Sequence, residues 1–91
     1  MLKISQGKNE KRSITLQLEG RVVGLWVEEL RQISELLLAD QSRLTLDLAE
    51  VSFADEDGLM LLTSLGRRGV RLLRPMPFVA EQLKAITAPA V

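Results

Sequence analysis

Apolar residues recur along this chain with two spacings, every second residue or every third to fourth, and the switches between them mark out its elements. Leu2 to Gln6 reads as a short strand, with a polar turn from Gly7 to Lys11. Ser13 to Glu19 is the most regular strand: Ile14, Leu16 and Leu18 alternate with Ser13, Thr15, Gln17 and Glu19. Gly20 and Gly24 bracket a break. Leu25 to Ala39 then carries Trp26, Leu30, Ile33 and Leu37 at helical spacing, with Glu28, Glu29, Arg31, Gln32 and Glu35 at the other positions. Alternation returns from Arg43 to Leu48. A loop over Ala49 to Glu56 is expected next, leading to a helix over Asp57 to Arg68 that Gly69 closes. Val70 to Leu73 reads as a fourth strand, ended by Arg74 and Pro75. Pro77 opens a last helix with Phe78, Val79, Leu83 and Ile86, and residues 87–91 are expected to fray.

The order is strand, strand, helix, strand, helix, strand, helix, in one domain over residues 1–91. Two right-handed strand–helix–strand crossovers that advance in one direction put both helices on the same face. The strands agree, because a sheet covered on both faces would have nearly continuous apolar strands, and these alternate. The expected fold is α/β: a four-stranded mixed sheet with its helices packed mainly on one face.

Composition narrows the chemistry. The 91 residues contain no His and no Cys. That excludes an imidazole base, a Ser-His-Asp triad, a thiolate nucleophile, a disulfide and an iron–sulfur cluster. Twelve Lys and Arg balance twelve Asp and Glu, so the chain lacks the excess positive charge of a nucleic-acid binder. The longest apolar runs, Leu36 to Ala39 and Leu59 to Leu62, are far too short to span a bilayer. The N-terminus turns polar after Leu2 without a signal-peptide core, so a cytoplasmic location is expected. Together these features favour an interaction module over an enzyme, with no cofactor or metal.

The stretch LTLDLAEVSFADEDGLMLL, from Leu44 to Leu62, is the most informative. A strand ends in Asp47, an apolar pair follows in Val51 and Phe53, and Asp55-Glu56-Asp57-Gly58 opens a helix. Asp47, Leu48, Val51, Phe53, Asp55, Gly58 and Leu59 resemble, in type and spacing, the signature of the STAS domain, the module named after sulphate transporters and anti-sigma factor antagonists. Leu18-Glu19-Gly20 and Gly69-Val70-Arg71-Leu72-Leu73 are similar to the end of that family's second strand and to its glycine-led fourth strand. The resemblance implies a STAS-like fold and a partner-binding surface on this loop and the face of the second helix.

There are two departures from the pattern. In phosphoregulated members of the family the residue before the motif glycine is a phosphorylated Ser or Thr. Here it is Asp57, preceded by Glu56 in place of a serine, so this phosphosite-equivalent position is not phosphorylatable. The chain also stops short of the strand and helix that the family adds after its third helix.

Three roles stay open for the acidic residues. Asp57 can cap the helix and complement its dipole. Asp55, Glu56 and Asp57 can present a fixed acidic patch, a partial mimic of a phosphorylated loop, since a carboxylate carries about one charge and a phosphate nearly two. They can also share a hard cation, although adjacent carboxylates rarely converge on one ion.

Other features have plainer expectations. Leu59, Leu62 and Leu65 make the inward stripe of the second helix, which turns Met60 and Leu61 sideways or outward as an apolar lip, unless this helix is simply buried more than most. Arg67, Arg68, Arg71 and Arg74 are expected to complement a helix C-terminus, with a phosphate or lipid-headgroup site as the alternative. Trp26 is expected in the core, and Asp47 is expected to hold loop N–H groups. Ser52, Thr63 and Ser64 are the hydroxyls nearest the loop.

By resemblance, the expected function is that of a non-catalytic anti-sigma factor antagonist. It would bind a regulatory protein, a kinase-type anti-sigma factor, through Asp55, Glu56, Asp57, Gly58, Met60 and Leu61, with no direct membrane insertion. The alternatives are an accessory subunit of an ABC lipid transporter, and a nucleotide- or small-molecule-binding domain, although no glycine-rich phosphate loop is present. Self-association is a further option, because a short sheet leaves edges uncovered.

Overall fold

The computed structural model describes residues 2–10 and 12–87. Among these, the elements are β1 (Leu2–Glu10), β2 (Ser13–Val22), α1 (Leu25–Ala39), β3 (Arg43–Ala54), α2 (Glu56–Arg67), β4 (Arg71–Leu73) and α3 (Pro77–Thr87). The sheet order is β1-β2-β3-β4; β1 is antiparallel to β2, and β2, β3 and β4 are mutually parallel. This is the expected four-stranded mixed sheet. Each helix runs back against the parallel strands, so all three helices begin at the end of the sheet where β2, β3 and β4 finish.

The helices form one layer, with α2 in the middle, packed against α1 on one side and α3 on the other. Leu16, Leu18 and Val22 of β2 and Leu44, Leu46 and Leu48 of β3 face that layer and are buried. They meet Val27 and Leu30 of α1, Leu59, Leu62 and Leu65 of α2, and Val79 of α3 in a single core. Removing a large side chain from such a core costs about 2–5 kcal/mol. The opposite face, with Gln17 and Glu19, is polar and exposed, so the alternation in the strand sequences reports a sheet covered on one side only.

Several boundaries differ from the sequence reading, and the differences share a cause. The polar stretch after Gln6 continues β1 to Glu10 through an irregularity between Gln6 and Asn9, and Lys11 lies outside the described residues. Gly20 does not break β2, which runs on to Val22. The expected loop over residues 49–56 is mostly strand, since β3 continues to Ala54. Bulges explain why its pattern looked like a loop. Gln17 pairs with Asp47 but Glu19 with Glu50, and Gly20 pairs with Val51 but Arg21 with Phe53. Each extra residue on β3 reverses the phase of its side chains. The buried positions therefore run Leu44, Leu46, Leu48, Val51, Ala54, with the last gaps widened to three. A pattern that slips twice no longer looks like alternation.

The ends of α2 obey local rules. Gly69 sits at φ 94, a left-handed conformation that favours glycine, and Val70 N–H bonds back to the Leu65 carbonyl at 3.0 Å. Of the tail expected over residues 87–91, Thr87 ends α3 and residues 88–91 lie outside the described residues.

Candidate functional site

Between β3 and α2 only Asp55 is left as a connection, and its carboxylate does the work of the joint. Oδ1 accepts from Gly58 N–H at 2.8 Å and caps α2; Oδ2 accepts from Gly24 N–H at 3.0 Å. Gly24, at φ 56, is the residue that turns the chain into α1. One carboxylate thus satisfies a free N–H at the start of α2 and pins the β2–α1 turn beside it. This corrects the capping role considered for Asp57: the cap lies two residues earlier, because the strand runs longer than its pattern suggests. Asp57 instead lies in the first turn with Glu56, and both are exposed. Neither makes a side-chain hydrogen bond or ion pair among the described residues. Their charge is favoured by the unpaired N–H groups at this helix end.

Gly58 is buried, and the close approach of α2 to β2 explains the glycine. A Cβ there would run into the Val22 carbonyl oxygen and sit 3.2 Å from Asp55 Oδ1. Gly58 therefore positions the loop and offers a partner no side chain. Leu61 is also buried, at 6% exposure, which is the alternative of a helix buried more than most and takes Leu61 off the apolar lip. As the middle helix of the layer, α2 is flanked on both sides and buries a wider arc than its inward stripe. Met60, 57% exposed, does project as expected.

The structure adds apolar neighbours that the sequence reading missed. Phe53, expected to pair with Val51, is turned out of the core by the second bulge. It stacks on Phe78 at the start of α3, with ring centroids 6.2 Å apart and planes 20° apart. Phe53, Met76, Phe78 and Leu25, next to the pinned Gly24, are all substantially exposed. All belong to the end of the molecule where the helices begin. Among the described residues, Leu36, near the far end of α1, is the other exposed large apolar side chain. Trp26 is partly buried against the core.

Asp47 forms a second polar centre, on the uncovered sheet face. Its Oδ1 accepts from Ala49 N–H at 3.1 Å, holding the first bulge much as expected, and its Oδ2 pairs with Arg74. The Arg74 hydrogen bond holds the Asp47 carboxyl below the usual carboxylate range; the Ala49 N–H acts in the same direction, against the cost of burial. Asp47 has little accessible surface and lies in a shallow hollow that Ser5, Gln17, Glu19, Glu50 and Arg74 also line. Arg74 is thus a sheet-face partner, not the helix-dipole cation expected. Arg68 caps the end of α2 and pairs with Glu35 of α1. Among the described residues no cluster of carboxylates is arranged to hold a metal ion, and no helix is long and apolar enough to cross a membrane.

A one-sided mixed sheet with this connectivity, entered by an Asp-capped second helix, has the architecture of the STAS fold. The solved structure of the anti-sigma factor antagonist SpoIIAA in its unphosphorylated form is similar, with a TM-score of 0.72 and 20% identity, over 90% of this chain and 82% of that chain. A solved structure of Mglu is similar over 72% of this chain and 18% of that longer chain, with a TM-score of 0.58 and 26% identity. No family model matches the sequence, and no curated protein matches it. The likeness to SpoIIAA is one of fold, and the STAS-like fold expected from residues 44–62 is the fold observed.

Proposed function

We propose that this chain is a non-catalytic interaction module that binds a regulatory protein, a kinase-type anti-sigma factor, through the start of α2. Binding would sequester that factor in the cytoplasm and release the sigma factor it holds. The observation that carries this reading is the pairing of two unneutralised carboxylates, Glu56 and Asp57, with the exposed Met60 on a helix end that Asp55 holds rigid. A surface fixed before binding loses little conformational freedom on association. The fold shared with an anti-sigma factor antagonist supports the same reading.

Within this site the residues divide the work. Glu56, Asp57 and Met60 meet the partner; Asp55, Gly58 and Leu61 shape the surface from beneath. With a carboxylate at position 57 the charge is constant, so binding does not depend on phosphorylation there. Titration calorimetry against a purified kinase-type anti-sigma factor from the same cell tests this. Asp57→Lys and Met60→Glu should each weaken binding by about tenfold or more, the size of a hot-spot loss. Unchanged affinity in both variants would refute the site. Wild-type chain that fails to bind would refute the function.

A further inference from the structure

The aromatic pair beside the acidic turn has no role in the core. Phe53 is displaced outward by a bulge, and Phe78 at the first turn of α3 is 57% exposed although it stacks on Phe53. Met76, 40% exposed, leads into the same helix start. Exposed apolar side chains that gather at one end of a small domain mark an interaction surface.

Charge around this shelf is unequal. On the α2 side lie Glu56 and Asp57, without cationic partners among the described residues. On the β2 side lies Arg21, the register neighbour of Phe53. Glu28, Glu35 and Asp47, by contrast, each have an arginine. The whole chain has zero formal charge, so it attracts a basic ligand only through such a local imbalance.

We infer that the partner surface extends from α2 across Phe53 and Phe78 to the start of α3, and that it takes a protein segment with an apolar anchor flanked by Lys or Arg. The anchor lies on the Phe53–Phe78 shelf, and its basic neighbour reaches the Glu56 and Asp57 carboxylates. This rests on the interaction role proposed above and names the partner's chemistry. It also assigns α3 a share of the binding that the sequence motif does not include.

Two probes test it. The first is the purified anti-sigma factor: Phe78→Ser should weaken binding about tenfold, the size of an aromatic hot-spot loss, while leaving the thermal melt close to that of the wild type. The second is a synthetic amphipathic peptide of Leu and Lys, compared with its Leu and Glu counterpart by amide chemical-shift mapping. The Leu–Lys peptide should shift residues 53–60 and 76–80, and these shifts should vanish in Phe78→Ser and shrink in the Glu56→Gln, Asp57→Asn double variant. Equal shifts from the Leu–Glu peptide, or shifts centred elsewhere, overturn the inference. If wild-type chain binds the anti-sigma factor and Phe78→Ser binds it equally well, the shelf is refuted while the α2 site stands. If light scattering shows a dimer that Phe78→Ser converts to a monomer, a second copy covers the shelf and the inference fails.

Discussion

The uncovered sheet face around Asp47 and the rim at the start of α2 are both acidic, yet they treat their carboxylates in opposite ways. Asp47 gives one oxygen to a backbone N–H and the other to Arg74, and its neighbours on that face are polar. At the rim, Asp55 is fully committed to two backbone N–H groups, whereas Glu56 and Asp57 stand free beside Met60, Phe53 and Phe78. Asp47 is internally satisfied, so a ligand that engaged it would have to displace existing bonds. The rim keeps its scaffold bonds and its free charges on different residues. On the proposed reading, a partner would bind there without undoing what holds the rim in place.

Four substitutions probe that division, in order of falling effect on stability. Gly58→Ala should be the most damaging, at about 2–3 kcal/mol, because the added methyl meets backbone at Val22 and not a flexible side chain. Urea unfolding followed by the fluorescence of Trp26 would measure it, and near-wild-type stability would mean that the rim tolerates movement.

Asp55→Ala comes next. It leaves Gly58 N–H and Gly24 N–H without their acceptor, a loss of about 1–2 kcal/mol for a helix cap. Hydrogen exchange should speed up at both amides together, and acceleration at Gly58 alone would break the proposed coupling of the two turns.

Asp47→Asn should have a smaller effect, and one that depends on pH. The folded carboxyl titrates below its unfolded value, so its contribution is present above the ordinary carboxylate range and is lost as pH falls through the folded value. The wild type should therefore lose more stability than the variant between neutral pH and acid, with the two curves converging at the acid end. Arg74 is mostly exposed, which keeps this effect modest. Partner affinity should stay unchanged.

Asp57→Asn should move stability least, by less than about 0.5 kcal/mol, as expected for an exposed side chain without partners. Its effect should fall on binding, measured by the same calorimetry. If Asp47→Asn weakened binding more than Asp57→Asn, the contrast between the two regions would be reversed.

Much of the fold was legible because the alternation of Ile14, Leu16 and Leu18 and the helical spacing of Leu30, Ile33 and Leu37 report burial directly. The start of α1, the glycine that ends α2 and the first residue of α3 follow from local backbone rules, and each lies where the sequence placed it. The alternation is lost where β3 departs from regular pairing. Bulges are set by the neighbouring strand, and Val51, Ser52 and Phe53 hold no local sign that an extra residue will be accommodated. Hence the loop expected over residues 49–56 and the misplaced cap. The placement of Leu61 stayed open for a related reason: a helix pattern gives one buried face, and only the neighbours decide whether its flanks are covered as well.

A one-sided α/β sheet, an acidic opening to the second helix and the absence of imidazole and thiol chemistry follow from periodicity and residue type, which act at short range. No such local rule brings Asp55 to Gly24 as well as Gly58, Asp47 to Arg74, or Phe53 to Phe78. The Asp55–Gly24, Asp47–Arg74 and Phe53–Phe78 contacts each join residues more than twenty positions apart, and where such residues meet depends on strand register, crossover direction and helix layering acting together.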